Sequence, residues 1–434
     1  MSDFVIPEYR VSTDRLRIGV FIRLEGLKWT EHPFLFKNFK IANDDQIKTL
    51  REMGIKEVIC VPGKSDRQPL NEATQPVAPE TATATTGKSA ADELWQIKQE
   101  RVQRLKQQQE TIARCEQNYV SSQQRIGQIM TGIAAADANS ARDVAEFAES
   151  FSANFLQDTE TALHLMRFAQ QDETIYYHSM NVAVLAMILG KEVGIQAEEM
   201  KILCQGALFH DIGKSKIDPK VLLKEGRLNK AELDSLKMHP NYGVNLLAFS
   251  ETFPKLALNI VYQHHEAADG SGYPTGIRGL QIHLLSKLVS IADTYDNHCN
   301  KHNPADSLTP YEALSYMFSR QKNAFDEKLL AAFIKCLGIY PPGTVVQLNN
   351  GAIGIVITVN PKDRLNPSVL LYDSEISPQE APIIDMHDDP DLKVTQSIRP
   401  ANLPQQIFDY LSPRTRITYY VNPPDAPAGE GAPL

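Results

Sequence analysis

Residues 197–214 read AEEMKILCQGALFHDIGK. Met200, Leu203, Ala207 and His210 recur at helical spacing, so an apolar helix face over Ala197–Phe209 carries an imidazole inward at its end. Asp211 follows at once, and successive helical residues point about 100° apart, so two donor groups leave one turn in two directions. The same kind of placement recurs along the chain. Asn229 and Glu232 have capping-box spacing and open a helix that carries Leu233 and Leu236 and ends at His239, just before Pro240. His264 follows Ile260 and Val261 at helical spacing, with His265 beside it. Asp293 closes the otherwise apolar run Leu288-Val289-Ser290-Ile291-Ala292-Asp293. An ionised carboxylate there is costly unless it is paired or bound to metal. Neutral imidazoles with carboxylates suit Fe, Mn, Zn or Ni. Any one of these histidines alone reads as a satisfied core residue. With His178, and out of 11 histidines in all, the set points to a metal centre within 140–340, a stretch dominated by helix-period patterns.

Working outward, residues 1–63 read as a small α/β domain. Arg17–Ile22 and Lys56–Val61 are strand-like, and Asn43–Met53 is helical and stopped by Gly54. Trp29, Pro33, Phe34, Phe36 and Phe39 between them read as core. Residues 64–92 are rich in Pro, Thr, Ala and Ser and read as a flexible linker. Residues 93–139 form a polar, Gln-rich helix. Within 93–135, Leu105, Ile112, Tyr119 and Ile126 stand seven apart, and Gln108, Cys115, Ser122 and Ile129 supply a half-polar second seam. That seam offers a homodimer contact; packing on its own domain is the other reading. Residues 341–421 turn β-rich, with the hairpin signal Asn349-Asn350-Gly351 between two strand-like runs, and 422–434 read as a disordered tail. The fold class is multidomain α+β.

The chain has 434 residues and a net charge of −9 from 44 basic and 53 acidic side chains. That balance argues against a broad DNA or RNA surface or an anionic membrane surface, while leaving room for a local phosphate pocket. The 5 cysteines form no C-x-x-C pair, so neither a zinc knuckle nor a disulfide framework is indicated. The N-terminus lacks an apolar signal core, and the longest apolar run, Val182–Leu189, is too short to span a bilayer. The expectation is a cytoplasmic protein.

The segments His178-Ser179-Met180-Asn181-Val182-Ala183, Phe209-His210-Asp211-Ile212-Gly213-Lys214, Lys237-Met238-His239-Pro240, His264-His265-Glu266 through Gly270-Ser271-Gly272-Tyr273-Pro274, and Ile291-Ala292-Asp293-Thr294-Tyr295-Asp296 together resemble the HD-GYP family. This family is a branch of the HD phosphohydrolase superfamily; the resemblance covers about 145–340 and implies an all-α, HD-type helical bundle as the catalytic domain over 140–340. Residues 1–63 resemble the small domain of unknown function that often precedes it, chiefly through Trp29 to Phe39. The resemblance implies hydrolysis of cyclic di-GMP, a bacterial second messenger, to linear pGpG and in some cases to GMP. Alternatives are hydrolysis of another cyclic dinucleotide such as cyclic GMP-AMP, or a slow cyclic di-GMP-binding effector. It implies that His178, His210, Asp211, His239, His264, His265 and Asp293 ligate two divalent metal ions, iron or manganese, with Asp211 bridging. Thr174 stands where three-metal members carry Glu, hence two ions. A water shared by two cations becomes hydroxide near neutrality and attacks phosphorus in line with the departing oxygen. Lys214, one turn from His210-Asp211, would contact the scissile phosphate. Asp296, three residues beyond Asp293, would orient the water or take a proton.

Gly272, Tyr273 and Pro274 would face the substrate or a GGDEF-type diguanylate cyclase partner. Where members often carry an Arg-Pro-Tyr-Arg-like phosphate clamp, this chain has Asn300-Lys301-His302-Asn303-Pro304-Ala305, so Lys301 and His302 would take over. Ala267 replaces a commonly basic residue.

Overall fold

The computed structural model describes residues 8–27, 31–34, 37–70, 90–135, 137–157, 163–165, 175–224, 226–248, 253–301, 306–360, 363–374, 376, 378, 381–389, 391–411 and 419–420. The chain divides into two compact units. One holds Met1–Gln109 with Leu348–Ala352 and Asp373–Glu380; the other holds the remainder.

In the first unit, β1 (Tyr9–Ser12), β2 (Phe21–Arg23), β3 (Asn38–Lys40), α1 (Asp44–Glu52) and β4 (Glu57–Cys60) build an antiparallel sheet in the order β1-β4-β2-β3. Asn43 caps α1 by accepting the Gln46 N–H. Val20, Ile22, Phe34, Ile41, Leu50 and Val58 form the core, and Phe39 packs on it and stacks on Phe34 at 4.7 Å. Trp29 and Phe36 lie outside the described residues. The unit does not stop at 63. Phe21 N–H donates to Ser65 Oγ (2.8 Å), Asp66 N–H to Gly19 (2.8 Å) and Leu70 N–H to Arg15 (2.9 Å). These bonds tie 64–70 to the sheet, so the expected linker starts later; 71–89 lie outside the described residues.

The polar helix is α2 (Ala90–Ala134). Leu94 packs on the core of the first unit, and the buried Lys98 ammonium donates to the carbonyls of His32 and Phe34. At its other end, within the second unit, Ile126, Ile129 and Met130 are buried. Ile126 and Ile129, expected on a self-associating seam, are therefore spent on the chain's own core. Most side chains over 101–120 lie outside the description.

The second unit continues with α3 (Ala138–Gln157), β5 (Leu163–Leu165), α4 (Ile175–Glu192), α5 (Ala197–Phe209), α6 (Pro219–Leu222), α7 (Lys230–Leu236), α8 (His239–Leu247), α9 (Lys255–Gln263), α10 (Leu284–Cys299), α11 (Pro310–Arg320) and α12 (Glu327–Leu337). Helix α4 is the central element, apolar all round from Val182 to Met187 and packed against α5, α10 and α12. The capping box of Asn229 and Glu232 forms with both bonds. Its helix stops at Leu236, not at His239. Pro240 instead lies in the first turn of α8, where its missing N–H costs nothing. No described helix is long and apolar enough to cross a membrane.

Strands β6 (Val345–Leu348), β7 (Ile353–Asn360), β8 (Asp363–Leu371), β9 (Ile383–Asp385) and β10 (Val394–Ile398) follow, then α13 (Gln405–Leu411) and β11 (Tyr419–Tyr420). The β6–β7 hairpin turns at Asn349-Asn350-Gly351, with Gly351 at φ +87°. Two expectations are corrected here. The stretch 140–340 is not purely helical, because β5 pairs with β7 (Leu163 opposite Val359) and covers that strand's free edge. The C-terminal extension also carries a helix, α13, ahead of β11.

Candidate metal centre

His178 lies in the first turn of α4, His210 is the C-cap of α5, and Asp211 precedes a 3-10 turn over Ile212–Lys216. His239 opens α8, His264 is the C-cap of α9 with His265 next, and Asp293 and Asp296 lie on α10. The fold brings all of them together. Gly213 makes this possible: a Cβ there would sit 1.9 Å from the His239 carbonyl oxygen and 2.5 Å from the Gly243 nitrogen. Only glycine lets the turn bearing Asp211 press against the start of α8.

Three imidazoles are oriented by carbonyls at helix C-termini, His210 and His264 by their own helices and His239 by the end of α7. His210 Nδ1 donates to Ala207 O (2.7 Å), His239 Nδ1 to Leu236 O (2.7 Å) and His264 Nδ1 to Val261 O (2.8 Å). Last-turn carbonyls have no helical partner, and a carbonyl can only accept. Each Nδ1 therefore carries the hydrogen, and in the neutral ring each Nε2 is a bare lone pair. His178 has no spare carbonyl in its first turn, and its Nδ1 faces Asp296 Oδ2 at 2.7 Å.

The Nε2 atoms converge. His239 Nε2 and His264 Nε2 are 3.2 Å apart, with Asp211 Oδ1 at 3.3 Å and 3.7 Å from them. That buried oxygen has no hydrogen-bond partner among the described residues. On the other side, His178 Nε2 and His210 Nε2 are 3.3 Å apart, with Asp211 Oδ2 at 3.6 Å and 3.5 Å and Asp293 Oδ1 at 3.0 Å and 3.5 Å. His265 Nδ1 lies 3.6 Å from Asp293 Oδ2. Two donor groups result, His178–His210–Asp211 and Asp211–His239–His264–His265, each with its atoms within 4.8 Å of one another. Such a gathering of acceptors calls for positive charge, and two divalent cations fit it.

The titration of the site says the same. Burial pulls His264 down to about 4 and His265 well below the ordinary imidazole value, so both rings are neutral ligands in waiting. Burial also works against a charge on His178, yet hydrogen bonds to Asp293 and Asp296 outweigh it and hold the ring up at about 10. Without metal, a proton supplies the charge the carboxylates demand. Burial would raise Asp211, but the Lys214 ammonium and the surrounding imidazoles hold it well below the usual carboxylate range. Asp293 is likewise lowered, by His178, His210 and His265 against its burial.

Lys214 Nζ donates to Asp211 Oδ2 at 2.5 Å. Asp296 does not open into the site: Oδ2 accepts from His178, and Oδ1 accepts from Asn181 Nδ2 and Asn300 Nδ2, both at 2.8 Å. That leaves the expected role in orienting water or taking a proton without a free oxygen. Tyr273 stacks on His265 at 4.6 Å between ring centroids, and Lys237 lies over the Tyr273 ring at 5.5 Å. Gly272 lies against the His265–Ala267 backbone so closely that a Cβ would meet Ala267 N at 2.3 Å. The loop containing Pro274 is clamped by buried Glu266, which accepts from Thr275 N–H (2.7 Å), Thr275 Oγ1 (2.5 Å) and Ile277 N–H (3.1 Å). Lys301 is exposed, and His302 and Thr174 lie outside the described residues. The supporting residues Asn181, Asn300 and Glu266 had no role in the sequence reading. Their signal is helical or local spacing from a ligand: Asn181 follows His178 by three, and Glu266 follows His265 directly.

A model of the HD domain matches residues 158–329. The chain carries an HD domain. A second model, a domain of unknown function called DUF3391, matches residues 8–144 and so takes in the N-terminal sheet and most of α2. Among relatives of this chain, the cyclic di-GMP phosphodiesterase PA4108 of Pseudomonas aeruginosa is 28% identical over 366 residues, 84% of each chain. The cyclic di-GMP phosphodiesterase response regulator RpfG of Xanthomonas campestris is 34% identical over 152 residues, 35% of this chain and 40% of its own. The 3'3'-cGAMP-specific phosphodiesterase 3 of Vibrio cholerae is 32% identical over 165 residues, 38% of this chain and 35% of its own. The latter two are matched over less than half their length.

Proposed function

We propose that this chain is a metal-dependent phosphodiesterase that opens a cyclic dinucleotide, cyclic di-GMP above all, to its linear form. The observation that carries the reading is the division of Asp211. Its Oδ1 faces His239 and His264 while its Oδ2 faces His178 and His210, so one carboxylate serves both donor groups. Two divalent ions bound there would supply Lewis acidity and a water acidified to near neutrality. A donor set of imidazole and carboxylate suits iron or manganese.

The residues of the chain divide the remaining work. Lys214 holds Asp211 Oδ2 and, once that oxygen is engaged by a cation, is placed to turn its ammonium to a non-bridging phosphate oxygen. Tyr273, half-buried and stacked on His265, walls that side of the site from water and offers a ring to a base. Lys301 is exposed just past the end of α10 and takes the role of a second phosphate contact.

Similarity to both cyclic di-GMP and cGAMP phosphodiesterases gives the test two arms. The full chain, purified anaerobically and loaded with Mn²⁺ or Fe²⁺, is incubated with each dinucleotide and the products are resolved by chromatography. Linear pGpG from cyclic di-GMP is expected. Preferential opening of cGAMP moves the substrate assignment, and no turnover of either by chain carrying both ions overturns the reading.

A further inference from the structure

We infer that Asp296 is a positioning residue that dedicates His178 to one of two unequal metal sites, with Asn181 and Asn300 as its frame. The inference rests on the metal-dependent reading above and goes beyond it by separating the two sites.

Three of the imidazoles are backed by neutral acceptors, the last-turn carbonyls of Ala207, Leu236 and Val261. His178 is the exception. It stands in the first turn of α4, where the preceding carbonyls enter the helical ladder. Its Nδ1 is met instead by a carboxylate from another helix, 118 residues away in sequence, at 2.7 Å. Asp296 is buried, and its second oxygen accepts two amide hydrogens at 2.8 Å. Asn181 comes from the next turn of α4, and Asn300 is the C-cap of α10, its backbone N–H donating to the Asp296 carbonyl at 2.8 Å. The carboxylate is thus fixed from both helices, and its oxygens are committed.

This geometry does two things. It fixes the His178 tautomer, so once an ion displaces the ring's second proton Nε2 turns its lone pair towards Asp211 and Asp293. It also places a second anion directly behind one ligand, which makes that imidazole a stronger donor than a carbonyl-backed one. The His178–His210 group therefore depends on Asp296, while in the other group His239 and His264 are held by backbone carbonyls and His265 by its stacking on Tyr273.

The test is titration of the chelator-stripped full chain with Mn²⁺, read as free ion by electron paramagnetic resonance and as bound ion by elemental analysis. Wild type is expected to take two ions. Asp296→Ala is expected to weaken one of them by ~10–100-fold and leave the other, whereas His265→Ala weakens the other. Asp296→Ala added to His178→Ala costs nothing further at that site. Asp296→Asn, which keeps the volume and one acceptor for Nδ1–H, falls between and serves if the alanine variant does not fold. Two ions bound with wild-type affinity in both Asp296 variants, or equal weakening of both ions, overturns the inference. A wild-type chain that binds one ion overturns it together with the two-metal reading. Failure of the substrate assignment is seen separately, as two bound ions without dinucleotide turnover.

Discussion

His239 Nε2 lies 3.2 Å from His264 Nε2, and each ring has already given its Nδ1 hydrogen to a helix-end carbonyl. In the neutral rings two lone pairs face each other beside the unpartnered Asp211 Oδ1. Such an arrangement is repulsive until a cation enters it. Metal loading is therefore expected to stabilise the fold. An ion at a hundredfold excess over its Kd contributes roughly 2.7 kcal/mol, a rise in Tm on the order of 5–10 °C for a domain of this size. Thermal denaturation with Mn²⁺ and with a chelator checks it; coincident curves would refute the metal centre.

Metal affinity is expected to rise with pH through the neutral range. His178 is held up at about 10 in the metal-free chain, above its ordinary value of 6.5. A raised imidazole stabilises the metal-free fold fully below the ordinary value, and that contribution is lost as pH climbs towards 10. An ion must displace the same proton, so binding at the His178 group tightens by about tenfold per pH unit from near neutrality up to about 10. Calorimetric titration in buffers of different ionisation enthalpy should count one proton released by that group. Binding that is flat with pH and releases no proton would contradict the assignment.

Lys214→Ala is expected to move two quantities in opposite directions. Losing the donor that the reading places at the phosphate should lower kcat by about 10²–10³. Losing the ammonium 2.5 Å from Asp211 Oδ2 removes a cation that competes for that oxygen, so Mn²⁺ should bind more tightly. Elemental analysis and steady-state kinetics on one preparation separate the effects. Weaker metal binding would make Lys214 a structural support instead.

The candidate ligands were legible because imidazoles and carboxylates on apolar helix faces have few cheap explanations; His210, His264 and Asp293 are each of this kind. Asn181 was not, since asparagine is unremarked in any helix and meets Asp296 only across 115 residues of chain. The position of Asp296 was visible and its direction was not. Three helical residues turn about 300° and so leave a net offset of about 60°, enough to carry its carboxylate from the His178 Nε2 that Asp293 faces to the Nδ1 on the other side of the ring. Pro240 misled because proline both ends helices and opens them. Strand β5 has three residues and no alternation to read, and tertiary pairing with β7 alone defines it.

Glu266→Ala is expected to loosen the Gly270–Ile277 loop while leaving the metals in place. The carboxylate accepts from Thr275 N–H, Thr275 Oγ1 and Ile277 N–H, and it is buried. Its removal strands two backbone donors at about 1–3 kcal/mol each, unless the loop opens and hydrates them. Opening is the cheaper course, because the loop lies at the surface and its exposed Asp269 and Ser271 are already solvated. Tyr273 would then leave the face of His265, against which it stacks at 4.6 Å. Amide exchange over 270–277 should accelerate by one to two orders of magnitude, about what 1–3 kcal/mol allows. KM for the dinucleotide should rise several-fold with two ions still bound. Unchanged exchange would show that Tyr273 and the chain around it hold the loop without Glu266.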